Sequence, residues 1–210
     1  VNKEVIERLE TGGSEIQLQR LGDHYEIILN GVFIMASYNG RSERSMVTEA
    51  VRVLGFEPER VLVGGLGMGF TLAQVLSYPG IRAIRVYETE EAIIRWNKGA
   101  LRDLNGKCLD DPRVEVVHGD FLGGIQTGPS WDLILVDLDN GPEMTVRETN
   151  GWLYSAPGLE QMKARLKMPG AVSIWCPGPN RMLEDLFGQV FTEHFCFTEE
   201  DCVYVGVKRP

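Results

Sequence analysis

The chain has 210 residues, 43% of them hydrophobic, which is enough for one sizeable core. Its formal charge of −9 and isoelectric point near 4.9 argue against nucleic acid as a partner, because phosphate contacts need a basic stripe and none is present. The same charge would draw in a cationic small molecule.

From the N-terminus, the first periodic signal spans residues 15–38. Glu15 to Gln19 alternates polar and apolar residues, and two β-prone runs, His24–Leu29 and Val32–Met35, flank Asn30-Gly31. Asn-Gly between such runs is a strong hairpin signal, since both turn residues must take positive φ. Arg44 to Leu54 then has helical spacing, with Met46, Val47, Ala50, Val51 and Leu54 on one face. From residue 60 strands alternate with helices. The strands are Val61–Val63, Ala83–Tyr87, Val114–Val117, Trp131–Val136 and Ala171–Trp175. The intervening helices cover 70–78, 91–101 and 155–166, the last ended by Met168-Pro169-Gly170; another helix follows at 180–187, and Phe191–Phe197 with Val203–Val207 reads as a closing antiparallel pair. Near-continuous apolar strands alternating with helices imply an α/β fold, a mostly parallel sheet covered on both faces. A small antiparallel β-hairpin region (1–42) precedes the larger domain (43–210).

The four cysteines (Cys108, Cys176, Cys196, Cys202) form no Cys-x-x-Cys pair, and no histidine stands at ligand spacing from them, so no metal is expected. Reduced thiols are expected, although Cys196 and Cys202 could face each other across a hairpin. No apolar run has the length of a membrane span, and the first residues lack a basic-then-apolar leader, so no membrane partner and a cytoplasmic location are expected.

In a sheet of this kind ligands sit at the carboxyl ends of the strands. Four such ends carry chemistry-bearing residues. After Val61–Val63, Gly65, Gly67 and Gly69 alternate, so the backbone can turn sharply against a nucleotide or nucleoside. The dinucleotide fingerprint G-x-G-x-x-G is not met, because Phe70 stands where its last glycine belongs. That favours a nucleoside without phosphates, its side chain linked through a sulfonium. Glu88 follows about twenty residues later, the place of a carboxylate that accepts bonds from a ribose diol. Asp120 can accept from an adenine amine, cap the next helix, or both. Asp137 ends the apolar run Leu133–Val136, where an acid is costly unless paired, and pockets are where such a cost is tolerated. Asp139-Asn140-Gly141-Pro142 reads as a turn or as a substrate contact.

Together these residues resemble the spermidine synthase family of S-adenosylmethionine-type transferases, from about residue 25 onward. Asn30-Gly31-Val32 is similar to the family's D-G-V, the Gly loop with Thr71-Leu72 to its nucleoside loop, and Asp111-Pro112-Arg113-Val114 with Gly119-Asp120 to D-P-R-V…G-D. The resemblance implies a Rossmann-like, mostly parallel seven-stranded sheet with helices on both faces. It implies a homodimer, a donor site at Gly65, Gly67, Met68, Gly69, Glu88 and Asp120, and Asp137 as the acid that handles the attacking amine. Residues 138–156 would form a gate over the acceptor, with Asp139, Asn140 and Tyr154 as contacts. The co-substrate would be S-adenosylmethionine or its decarboxylated form, and the acceptor a small molecule such as a polyamine.

Three family positions are replaced. Met68 stands where the family has an acid that holds the donor's terminal ammonium, Ile34 where it has Gln, and Glu43-Arg44-Ser45-Met46 where it has Y-H-E-M. Leaving a partly buried ammonium without its carboxylate costs roughly 3–5 kcal/mol, on the order of two to three decades in affinity. A neutral Met68 removes the repulsion that would exclude the carboxylate of intact S-adenosylmethionine, and Arg44, if near the pocket, would favour an anion too. The site residues therefore tilt the expectation toward methyl transfer, with aminopropyl transfer to a diamine, or a catalytically silent nucleoside-binding protein, as the alternatives.

Overall fold

A computed structural model describes residues 3–11, 14–199 and 201–209. The chain opens with four antiparallel strands in sequential order: β1 (Lys3–Thr11), β2 (Ser14–Leu21), β3 (His24–Leu29) and β4 (Val32–Ala36). Asn30 and Gly31 join the last two at φ of 51° and 76°, the pair of positive values that the Asn-Gly hairpin requires. β1 extends this sheet beyond the stretch legible from its sequence. Its described side chains are exposed or half-buried, Val5 and Ile6 among the exposed, and only Leu9 of them packs against the core, so the edge strand carries too little apolar alternation to read.

After helix α1 (Arg41–Leu54), the chain builds β5 (Arg60–Gly64), α2 (Phe70–Leu76), β6 (Ala83–Glu88), α3 (Glu91–Lys98), β7 (Val114–His118), α4 (Phe121–Gln126) and β8 (Trp131–Val136). α5 (Ala156–Ala164), β9 (Leu166–Cys176), α6 (Arg181–Val190), β10 (Glu193–Thr198) and β11 (Cys202–Lys208) complete it. The seven strands order as β10-β11-β9-β8-β5-β6-β7, and β11 alone runs against the rest. This is the mostly parallel, doubly covered sheet expected. One departure is at β9. Met168-Pro169-Gly170 does not separate helix from strand; the strand starts earlier, at Leu166, and carries Pro169 through a shift in its register with β8. An irregularity of this kind is where a strand accommodates a residue with no N–H to donate. Across β10 and β11, Cys196 lies opposite Tyr204 and Cys202 opposite Thr198, and all four thiols are free. No helix among the described residues is long and apolar enough to cross a membrane.

The apolar runs of the central strands are continuous because both faces are buried. Val61, Val63, Leu133 and Leu135 pack with α1, α2 and α3, while Leu62, Ile134 and Val136 pack with α4, α5 and α6. Ile16, Leu18 and Ile27 of the N-terminal sheet join the first of these layers, so the two sheets share one core. The strand order reverses at β5: β6 and β7 lie to one side, β8 and β9 to the other. Gly64 is paired with Val136, which brings the ends of β5 and β8 out side by side at the switch point.

The D-P-R-V stretch has a structural task. The Arg113 guanidinium donates to the carbonyls of Leu76 (3.1 Å), Ile81 (3.2 Å) and Tyr78 (3.3 Å), and Asp111 holds it in place. It thereby satisfies the Leu76 carbonyl at the end of α2 and ties the turn that follows to the start of β7. Arg113→Ala is expected to cost about 2–3 kcal/mol, because several half-buried acceptors lose their donor together; urea unfolding checks this, and an unchanged midpoint would contradict it.

Candidate functional site

The Gly loop is held from three sides. Gly65 has φ of 91°, its N–H donates to the Tyr87 carbonyl (2.9 Å), and a Cβ on it would run into the Asp137 carbonyl. Only glycine fits where the loop after β5 touches the chain leaving β8. Glu88, at the end of β6, accepts the Leu66 N–H (3.0 Å) with one oxygen and the Glu90 N–H (2.8 Å) with the other. On the third side Asn97 donates to the Gly67 carbonyl (2.8 Å), and Asn105 donates to Asn97 (2.6 Å). Asn97 and Asn105 escape sequence reasoning: a buried Asn, on α3 or in the turn after it, leaves no pattern until its acceptor is known.

The Met68 side chain turns away from the strand ends and is fully buried in the core. Arg44 also points elsewhere: it donates to the Gly40 carbonyl (2.7 Å) and lies 4.6 Å over the Phe70 ring. Neither side chain faces the cavity, so the preference for an anionic donor tail that was built on them loses its geometric basis.

The cavity of about 420 Å³ lies between the strand ends and the N-terminal sheet. Gly65, Gly67, Glu88, Asp120, Asp137, Asp139 and Asn140 line it, as the sequence places them; Met68, Gly69 and Tyr154 do not. Gly69 instead stands at φ of 83° before α2, with Asn97 and Asn105 against it. Asp120 caps α4 through the Leu122 N–H (2.9 Å) and also faces the cavity, so both expected roles are geometrically compatible. Leu29, Phe33, Ile34 and Met35 of the N-terminal sheet form an apolar wall.

Asp139 is buried within its own loop, accepting from the Val146 N–H (2.6 Å), Asn150 (3.0 Å) and the Tyr154 hydroxyl (2.9 Å). Tyr154 is thus a support for Asp139, not a wall of the cavity. Burial raises the carboxyl pKa of Asp139, and these donors oppose the rise. Burial raises Glu88 in the same way, against its backbone donors.

Two further acids define the deep end. Asp137 accepts from the Thr71 hydroxyl (2.7 Å), and burial pushes its pKa up to about 6. Glu43, in the first turn of α1, is 8% exposed and lines the same cavity. Burial, and after it the charge of Asp137, push Glu43 up to about 7. The sequence held a signal for Glu43: it lies three, four and seven residues before Met46, Val47 and Ala50, an acid on the buried stripe of an amphipathic helix.

Two outcomes follow from this packing. Gly65→Ala is expected to destabilise by about 3 kcal/mol or more, through steric conflict and a disfavoured φ; thermal unfolding measures it, and a loss under 1 kcal/mol contradicts the close approach. A carboxyl whose pKa is higher folded than unfolded loses stability as pH rises from about 4.5 to about 7. Glu43→Gln should therefore be more stable than wild type by about 1–3 kcal/mol at pH 8, with the gap closing toward pH 4.5; denaturant unfolding at both pH values checks the sign.

Comparison with known proteins agrees with this architecture. The chain is similar to the polyamine aminopropyltransferase of Mycobacterium tuberculosis, 33% identical over 165 residues, which are 76% of this chain and 30% of that one. It is also similar to putrescine N-methyltransferase 4 of Nicotiana tabacum, 32% identical over 128 residues, 56% of this chain and 31% of that one. The chain spans less than half the length of these curated relatives. The crystal structure of spermidine synthase from Thermotoga maritima superposes with a TM-score of 0.80 at 17% identity, covering 98% of this chain and 73% of that one, which establishes the fold. The spermine/spermidine synthase domain profile matches residues 41–178, from the start of α1 past the end of β9, and by that match the chain belongs to the spermine/spermidine synthase family.

Proposed function

We propose that the chain is an aminopropyltransferase, which joins decarboxylated S-adenosylmethionine to a small amine, with a polyamine precursor such as a diamine as acceptor. The observation that carries this reading is the charge of the cavity. Among the described residues Glu43, Glu88, Glu90, Asp120, Asp137, Asp139 and Asp201 line it, against one cation, Arg147, which pairs with Glu90 at 3.5 Å. A like charge 5 Å away costs about 3 kcal/mol at an effective dielectric near 20. The carboxylate of intact S-adenosylmethionine would meet such repulsion, whereas the ammonium of the decarboxylated donor and of a diamine would be attracted. With Met68 and Arg44 out of the cavity, this field outweighs the substitution argument for methyl transfer. Relatives named polyamine aminopropyltransferase favour the same chemistry.

In this reading the nucleoside lies along the Gly loop, its ribose against Glu88 and its adenine amine toward Asp120. The apolar wall from the N-terminal sheet covers the aliphatic carbons. The acceptor nitrogen attacks the propyl carbon bonded to the sulfonium; the C–N bond forms, the C–S bond breaks, and the electron pair stays on sulfur as a neutral thioether. The proton lost from nitrogen goes to Asp137, held in place by Thr71. Positioning supplies most of the acceleration, since the sulfonium is already a good leaving group.

The N-methyltransferase relative supports one competing reading, methyl transfer to the same kind of amine. Incubation with putrescine and each donor in turn, read by mass spectrometry, separates the two: aminopropylated product from the decarboxylated donor is expected, and methylated product from the intact donor alone would overturn the proposal. Asp137→Asn should lower kcat about 10²-fold or more while donor affinity, by calorimetry, stays within a few-fold. Because the base acts ionised, wild-type kcat/KM should rise with pH through about 6 and then level off; an activity that increases as pH falls below 6 would exclude Asp137 from this role.

A further inference from the structure

Glu43 is a buried carboxylate that the rest of the protein does not neutralise. Its Oε2 accepts from the Ser42 hydroxyl (3.0 Å), and among the described residues no side chain donates to Oε1 and no Lys or Arg pairs with it. The nearest basic residue in sequence, Arg44, is committed to the Gly40 carbonyl and the Phe70 ring. The charged groups that act on Glu43 are Asp137, from the end of β8, and Asp201, before β11, and both are acids that line the same cavity. More than nine-tenths of the side chain is out of solvent, yet it forms part of the cavity wall. A carboxylate in that position is costly to ionise unless a cation arrives with the ligand.

We propose that Glu43 is a specificity-determining residue that binds a primary alkylammonium group inside the cavity, in place of the acid missing at Met68. The inference rests on the transferase reading and deepens it. Two sources share this chemistry: the aminopropyl end of the decarboxylated donor, and one end of a diamine acceptor. In either case the cation brings the charge that Glu43 and Asp137 lack, and a neutral or anionic group would leave them unpaired. The selectivity so produced is a penalty on the wrong ligand as much as an attraction for the right one.

The test is calorimetric, on wild type, Glu43→Gln and Glu43→Asp. The probes are methylthioadenosine, which is a nucleoside with no ammonium, decarboxylated S-adenosylmethionine, putrescine alone, and putrescine with methylthioadenosine at saturation. Glu43→Gln should keep its methylthioadenosine affinity within twofold, which also shows that it is folded. It should lose at least tenfold for the donor, for putrescine, or for both, and the ligand affected identifies the source. Glu43→Asp, which keeps the charge, should recover part of that loss. Equal affinity of wild type and Glu43→Gln for every ammonium probe overturns the proposal, as does an equal loss in Glu43→Gln and Glu43→Asp. Absence of methylthioadenosine binding in wild type would instead defeat the transferase reading, and the putrescine-alone arm would still decide the role of Glu43.

Discussion

The site depends on the contact between Gly65 and the Asp137 backbone. Gly64 and Val136 are paired at the ends of neighbouring parallel strands, and the Asp137 N–H closes the ladder on the Gly64 carbonyl at 2.8 Å. That bond sets how near the loop after β5 comes to the segment after β8. The closeness excludes any side chain at 65, and it places an acid beside the Gly loop. Glu88, Asn97 and Asn105 then hold the loop from β6 and from the helical side. The arrangement is preorganised, since the loop's shape is fixed by hydrogen bonds from the protein's own groups.

Burial explains which parts were legible in the sequence. β5 and β8 are read from their apolar runs because both faces are covered, and the turn at Asn30-Gly31 because it needs two residues that tolerate positive φ. Carboxylates at strand ends are found by counting, since parallel strands end on one edge. β1 is not legible, because most of its described side chains are exposed and Leu9 alone among them packs on the core. Met68 and Arg44 illustrate a different limit. Ungapped correspondence with a family gives the position of a residue, but the direction of its side chain depends on φ and on neighbours. Met68, between two glycines of positive φ, swings into the core. Glu43 is the converse case: its position on the apolar stripe of α1 marked it, but the reason for its burial becomes visible only when Asp137 and the cavity are seen opposite.

The acid-rich cavity also bears on how this chain departs from its family's motif. The carboxylate absent from the Gly loop has a counterpart on α1, a different element with a different approach to the same space. Recognition of a cation requires charge at a given place, and several points on a backbone can deliver it. Fold alone does not reveal which element supplies such a charge.

The hydrogen bonds of Asp139 organise the segment that follows it. All three of its partners, Val146, Asn150 and Tyr154, lie on the same covering segment, and Leu153 and Tyr154 anchor the far end of that segment in the core. Its links to the body of the protein are exposed and long, Arg147 to Glu90 at 3.5 Å and Asn180 to Glu143 at 3.3 Å. The segment is therefore stapled to itself more firmly than to what it covers. Because its inner bonds converge on Asp139, the segment holds its shape as one piece, and a change at that single carboxylate would release Val146, Asn150 and Tyr154 together.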